Sequence, residues 1–316
     1  MTSTVNSGEP DQTRDNITTR SSISQRNGST LTSDQASALA REYELKPMGV
    51  RPSIPVYIRQ CWDRRHFVVE LSKAREQSEN SESRLGQAWR LLNPLLNSAV
   101  YFLVFGVIFK GRGTVPNYIA FLVIGVFFFT YTQQAVLGGS RSIVANMTLV
   151  RALNFPRALL PISVVVEEFY TLIPAIIVSV VIVLLTHEGI SAWWLMLVPA
   201  LMLQTLFNLG LAMILARMTE RVRDVQKLLP FVMRTWLYLS GVVFPIGKLA
   251  SEHAPWVGFL ASFNPAAVYI ELARDCLLTS YSVPPITWAY GVFWALITFI
   301  GGFIYFWKAE ERYGRG

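Results

Sequence analysis

The chain has 316 residues, of which 52% are hydrophobic and only 16% charged, against about 25% charged in a soluble domain. The shortfall falls almost wholly after residue 90, which excludes a soluble globular protein for most of the chain and points to a polytopic membrane protein with a polar N-terminal region. The net charge of +7 does not imply nucleic acid, because Lys and Arg flank apolar runs instead of gathering on one face.

Residues 1–53 are rich in Ser, Thr, Asn, Gln and Asp, poor in aromatics, and expected to form a disordered cytoplasmic tail. They contain no apolar h-region, so no cleavable signal peptide is expected. Residues 54–91 read as a cytoplasmic helix and connector. Within Ile54–Gln77 the apolar Val56, Tyr57, Cys61, Val68, Val69 and Leu71 are interleaved with Arg59, Asp63 and Lys73. Basic residues beside aromatics, as at Trp62, Arg64, Arg65 and Phe67, suit a helix lying in the membrane interface; a short soluble helix in the tail is the other reading. The stretch Ser83–Pro94 then leads to the bilayer, with Trp89 and Arg90 suited to headgroup level.

Residues 92–316 hold six segments of the roughly 20 mostly apolar residues that a spanning helix needs. They are Leu92–Phe109, Tyr118–Gly139, Leu159–Leu185, Trp193–Ala216, Leu228–Ile246 and Ile286–Trp307. The expected fold is therefore all-α with six transmembrane helices. Fourteen Lys and Arg residues lie near one set of span ends and four near the other, so the first set is read as cytoplasmic, with both termini inside. That places Cys61 and Cys276 on opposite sides, and no disulfide is expected.

Between the second and third spans, Ile143, Met147 and Val150 recur at helical spacing, and Pro156 and Pro161 stop and restart the helix. A short helix there lies parallel to the membrane, either to press into a cytoplasmic partner or as a bare connector. Glu167 and Glu168 fall inside the third span and Arg234 inside the fifth, at depths of roughly 12 and 9 Å from the same side. Charges so placed require a partner or a wet cavity. An ion pair from Arg234 to one of the glutamates, within one copy or across a dimer, is one expectation, and Arg234 snorkelling alone is the other.

The stretch "FNPAAVYIELARDCLL", Phe263–Leu278, is helix-patterned but too short to cross. Asn264 suits the cap and Pro265 the first helical position. Ala266, Tyr269, Ile270, Ala273 and Leu277 form an apolar face, with Glu271, Arg274, Asp275 and Thr279 towards the other. With the apolar Pro255–Phe263 before it, the pattern predicts two short re-entrant helices dipping into the outer half of the membrane, as a gate or as a plug that only packs.

Other motifs fail. Gly106–Gly113 resembles a phosphate loop superficially, but Arg112-Gly113 stands where Lys-Ser/Thr is required. His66, His187 and His253 are scattered, so no metal site is expected.

The order and spacing of "SRLGQAWRLLNPLLNSAVYFLVFGVIF", "NFPRALLPISVVVEE", "YLSGVVFPI" and "FNPAAVYIELARDCLL" resemble the permease subunit of type-2 ABC exporters. The likeness is greatest to the Wzm- and TagG-like polysaccharide exporters and, more narrowly, to the actinobacterial galactan exporter. The long N-terminal tail departs from that family's short N-termini. The resemblance implies a homodimer with two copies of a separate ABC ATPase that binds ATP and Mg, and a lipid-linked glycan passing between the permease copies. It implies that Ile54–Gln77 is the interface helix and that 142–155, with Ser142, Met147, Arg151 and Phe155, couples to the ATPase. It makes Asn264, Pro265, Glu271 and Arg274 part of an outer gate. Phe127, Tyr131, Trp236 and Tyr238 are aromatic candidates for the sugar path, with ordinary packing as the competing role. The expected location is the bacterial cytoplasmic membrane. The alternatives are an exporter of a small drug or lipid and, from another class, a membrane-embedded glycosyltransferase, which would need clustered Asp, Glu or His at one membrane face; none converges here.

Overall fold

The structure, a computed structural model, describes residues 52–81, 86–108, 115–245, 262–311 and 313. The expected disordered tail and the first of the two re-entrant helices, but for its last residues, lie outside the described residues. Among those described, all regular structure is helical. Helices α1 (Ile54–Asp63) and α2 (Arg65–Ser81) precede α3 (Gly86–Tyr101), which continues as a π-helix over Phe102–Ile108. Then come α4 (Tyr118–Ala145), the short α5 (Met147–Ala152) and α6 (Leu159–Leu185). A 3-10 turn, Ala192–Met196, runs into α7 (Leu197–Arg221), followed by α8 (Val225–Leu239), α9 (Pro265–Leu277) and α10 (Ile286–Trp307).

Five helical segments are long and apolar enough to cross a membrane: Ala88–Ile108, Tyr118–Ala145, Leu159–Leu185, Ala192–Arg221 and Ile286–Trp307. The third and last agree with expectation residue for residue. The second and fourth run on to Ala145 and Arg221, because helical hydrogen bonding continues past the edge of the apolar run until Asn146 and Val222 leave the helical conformation. The expected span Leu228–Ile246 is shorter than predicted. Its helix, α8, ends at Leu239, where Gly241 adopts a left-handed φ of 65°, the usual stop signal after a helix. Fifteen residues reach about 22 Å at 1.5 Å each, short of the ~30 Å hydrocarbon core. The count of six spans is not reached among the described residues.

The expected single helix Ile54–Gln77 is likewise two, broken at Arg64 (φ −100°, ψ 20°). Helix α2 runs beside the start of α6, where Ser72 Oγ donates to the Ser163 carbonyl at 2.7 Å and Arg75 Nη1 donates to Ser163 Oγ at 3.1 Å.

Helix α4 is the hub, buried almost continuously from Ala120 to Phe129, whereas α3, α6 and α10 each bury one face only. That difference agrees with an apolar surface left for lipid or for other protein. The most extensive crossing joins α7 and α10. A Cβ on Gly210 would collide with the backbone at Thr298 and Phe299, and one on Gly302 with the backbone of Gly210. Glycines at this crossing let two backbones touch, the device by which spanning helices gain packing without a hydrophobic driving force. Both cysteines are free thiols, Cys61 half-buried and Cys276 buried.

Candidate functional site

The α4–α6 connection differs in detail from the predicted coupling segment. Ser142 belongs to α4 and is buried, because α4 continues past it. Phe155 is also buried, its ring 5.4 Å from that of Phe67. What reaches the surface is the outer side of α5 and its exit: Thr148, Arg151, Ala152, Leu153 and Asn154 are exposed, Met147 is half-buried, and Val150 faces inward. Arg64 Nη1 donates to the Asn154 carbonyl at 2.8 Å, tying the α1–α2 break to this loop. Helix α1 turns Val56, Ile58 and Trp62 outward. The Arg65 guanidinium lies 5.5 Å from the Trp62 ring. An apolar outer face with basic residues beside an exposed indole is the pattern of a helix lying at a membrane surface.

Glu310, which sequence reasoning did not single out, organises this region. Helix α6 has no side-chain cap of its own; the Leu159 and Leu160 N–H groups donate to the Pro156 and Arg157 carbonyls of the preceding turn. The two N–H groups just before the helix reach distant parts of the chain. Glu310 Oε1 accepts from the Arg157 N–H at 3.0 Å, and Tyr57 Oη accepts from the Ala158 N–H at 3.1 Å. Tyr57 in turn donates to Glu310 Oε2 at 2.7 Å, and Arg157 Nη1 lies 3.4 Å from Glu310 Oε1. Residues just after α10, inside α1 and just before α6 are thus joined around one carboxylate at a helix N-terminus, where negative charge is favoured. Burial pushes the Glu310 carboxyl above its ordinary value, and the Arg157 N–H, the Tyr57 hydroxyl and the Arg157 charge pull it back in part. Burial, with Glu310 beside it, holds Tyr57 protonated and so a donor. No spacing rule connects Tyr57 to Glu310, which in the sequence is one of several charged residues in Lys308–Arg312.

Helix α9 forms where predicted. Asn264 caps it by accepting from the Ala266 N–H at 3.2 Å, and Pro265 takes the first position. Its polar face is not solvent-facing, which corrects the expectation for Arg274. That side chain is fully buried. It donates to the carbonyls of Phe121 (3.1 Å), Gly241 (2.9 Å) and Val242 (2.9 Å) and to Glu271 Oε1 (3.1 Å). The guanidinium lies 3.3 Å from the Phe121 ring centroid, in space that Gly125 leaves by having no Cβ. Glu271 also accepts from the Tyr281 hydroxyl. Asn264 and Arg274 both hold the end of α8: Asn264 Nδ2 donates to the Leu239 carbonyl at 3.0 Å, while Trp236 Nε1 donates to Asn264 Oδ1 at 2.8 Å.

The expected pair does not form within one copy of the chain: Arg234 is exposed on α8, and Glu167 pairs with Arg90 at 3.2 Å. Arg90 stands one turn into α3, which packs beside α6, so it reaches Glu167 and Thr171 Oγ1 (3.0 Å) from a neighbouring helix. Glu168 is half-buried on the wall of a cavity of about 500 Å³ between α3, α4 and α6. Phe127 and Tyr131 line that cavity; Trp236 and Tyr238 do not. Trp236 is committed to capping α9, and Tyr238 lies on the outer face of α8, its ring 6.5 Å from that of Tyr101.

At the opposite end of the bundle, Glu188 binds the α9–α10 loop. It accepts from Thr279 N (3.0 Å) and Oγ1 (2.7 Å), Ser280 N (3.2 Å) and Oγ (2.6 Å), and Asn117 Nδ2 (3.3 Å). Partial burial works against its charge, but the Ser280 and Thr279 hydroxyls and the Asn117 amide outweigh it and hold the carboxyl below its ordinary value. Beside it, Trp193 and Trp288 wall a second cavity of about 530 Å³. Trp193 Nε1 donates to Asp275 Oδ2 at 3.1 Å. Among the described residues no group of His, Cys, Asp or Glu could hold a metal ion.

Known proteins share this arrangement of sequence. The O-antigen export system permease protein RfbA of Myxococcus xanthus is 27% identical over 223 residues, covering 68% of this chain and 84% of the relative. RfbA of Klebsiella pneumoniae is 26% identical over 200 residues, 62% and 74% of the two chains. The polysialic acid transport protein KpsM of Escherichia coli is 23% identical over 236 residues, 72% and 87%. Residues 74–278, from α2 through α9, match the family described as ABC-2 type transporter, and the chain belongs to that family: it is a multi-pass membrane permease, a transport subunit and not an enzyme.

Proposed function

We propose that this permease moves a lipid-linked polysaccharide, with galactan the narrowest candidate, outward across the bacterial cytoplasmic membrane. In this reading it works as a pair of permeases with two copies of a separate ABC ATPase that binds ATP and Mg. Both termini are cytoplasmic, as the Lys and Arg distribution implies. The observation that carries the reading is that relatives from three different bacteria, covering well over half of this chain, are each named for the export or transport of a polysaccharide. The geometry supports the division of labour. The surface of α5, braced from behind by Phe67, Phe155 and the Tyr57–Glu310–Arg157 cluster, is a rigid place for an ATPase to push. Rigidity there matters because motion is passed on only by an element that does not yield. Helix α9 serves as the outer gate as a unit, since its own polar groups are spent on internal bonds.

Conditional depletion followed by analysis of cell glycans tests the reading. Accumulation inside the cell of a lipid-linked glycan that normally reaches the surface is expected. Unchanged glycans, with altered sensitivity to small toxic compounds, would instead support a drug or lipid cargo.

A further inference from the structure

On the side of the bundle that carries α1 and α2, helices α3, α4 and α6 diverge around the cavity of about 500 Å³. Its volume lies in the range of small-molecule sites, about 300–1,000 Å³. Its walls are unlike a surface meant for lipid. Asn93 and Asn97, one turn apart and so on one face of α3, and Gln133 and Gln134 of α4 place four carboxamides around it. Among the described residues no side-chain hydrogen bond engages any of the four. An amide left in hydrocarbon without a partner is strongly unfavourable. Asn93, Asn97 and Gln134 are exposed and Gln133 half-buried, so the four amides face the open space between the helices, and within spanning segments such a face calls for a polar occupant.

Charge narrows the occupant. Arg90 and Arg141 are at the wall, but Arg90 is paired with Glu167 at 3.2 Å and Glu168 stands on the same wall as Arg141. Two positive and two negative groups leave no surplus for an anion. Shape narrows it further. Trp89, exposed at the rim, offers a flat apolar ring beside the amide edges, and the buried Phe127 and Tyr131 form the apolar floor behind them. A sugar ring matches both features, with hydroxyls around its edge and apolar C–H groups on its faces. A carboxamide offers two donors and an acceptor, which suits adjacent hydroxyls; an aromatic ring suits the C–H face. A bare acyl chain would leave the amides unpaired, and a phosphate would meet Glu168.

We infer that this cavity is a subsite for uncharged sugar residues of the transported glycan, on the side from which the carrier is loaded. The inference rests on the polysaccharide reading above and assigns it a place. It is tested in cells by placing the photo-crosslinking residue p-benzoylphenylalanine, one position at a time, at Asn97, Gln134, Tyr238 and Ile300. After irradiation the permease is purified and its sugar diols are stained by periodate oxidation and hydrazide labelling, which needs no knowledge of the glycan. Stained adducts at Asn97 and Gln134, and none at the outward-facing Ile300, are expected. Absence of stain at Asn97 and Gln134 overturns the subsite, as do adducts there to a second copy of the permease. Stain confined to Tyr238 would place the sugar path along α8 and leave the cargo reading intact, whereas only the depletion experiment decides the cargo itself. An independent variant avoids the bulky probe. Asn97→Ala combined with Gln134→Ala should lower glycan export at least tenfold, with the permease–ATPase complex recovered in normal amount. Unchanged export would also overturn the subsite.

Discussion

Replacing Tyr57 by Phe isolates the bonds that hold α1 to the body of the protein. The ring stays, packed 5.9 Å from Phe303, but the hydroxyl that bridges Glu310 and the Ala158 N–H is lost. A hydrogen bond to a charged group contributes about 1.5–3 kcal/mol and a neutral one about 0.5–1.5. Both partners are buried, so water does not replace the hydroxyl, and the sum is roughly 2–4.5 kcal/mol. At 1.4 kcal/mol per tenfold, the opening equilibrium of α1 rises by roughly 30- to 1,600-fold. Hydrogen exchange of the purified complex reads this directly, since α1 opens without global unfolding when its anchor is weak. The amides of α1 should lose protection by that factor, while those in the middle of α10 remain unchanged. Glu310→Gln keeps the shape and weakens the same node. Combined with Tyr57→Phe, it should cost less than the sum of the single losses by more than about 0.5 kcal/mol, because both changes break one bond. Protection in α1 within threefold of the parent, in a well-folded Tyr57→Phe protein, would refute the clamp.

Charge reversal at Arg151, on the exposed last turn of α5, should leave expression unchanged, since surface substitutions shift stability by about 0.5 kcal/mol or less, yet lower glycan export and transport-linked ATP hydrolysis; full activity would remove α5 from the coupling surface. Gly210→Ala drives a methyl into the α10 backbone and should cost more than about 3 kcal/mol, whereas Gly301→Ala meets nothing within 4 Å and should be neutral or stabilising by a few tenths of a kcal/mol; thermal denaturation of the two variants separates them. Arg274→Lys cannot serve three carbonyls and Glu271 together, and stranding buried acceptors should cost about 3–5 kcal/mol, seen as a loss of assembled protein or a large fall in Tm. The folded-state pKa of Glu188 lies below its ordinary value, so its hold on Thr279 and Ser280 is complete above about pH 4.3, the free carboxylate value, and is lost as pH falls through the lower folded value; protease cleavage at 279–280 should therefore rise on acidification, and Glu188→Gln should abolish that dependence.

The two spans that sequence reading delimited correctly, Leu159–Leu185 and Ile286–Trp307, are those whose apolar run ends at the helix end itself. At Leu159 the run follows Pro156 and Arg157, and at Trp307 a lysine follows it. The others end by local geometry that hydropathy does not record. Gly241 stops α8 while the sequence stays apolar through Val242, Val243 and Phe244, and α4 runs on through Ser140, Arg141 and Ser142 because nothing breaks its hydrogen bonding. The cap at Asn264-Pro265 was legible because capping is a two-residue signal. The charge pairings were not. Depth along a span matched Arg234 to Glu167, but depth says nothing about rotation around the helix axis. Rotation is set by packing, and it turned Arg90 towards Glu167 and Arg234 away. Arg274 looked like one member of a polar face for the same reason, since its partners are backbone carbonyls that carry no sequence signature.

The Tyr57–Glu310–Arg157 cluster also sets an order of events during synthesis. Glu310 follows Arg157 by 153 residues, so at about 5–20 residues per second the Arg157 N–H, in the turn before α6, waits roughly 8–30 s for its acceptor. During that interval α1 and the α5 loop have no carboxylate to gather around. A chain cut before Glu310 would therefore keep most of its helices yet leave α1 without its clamp.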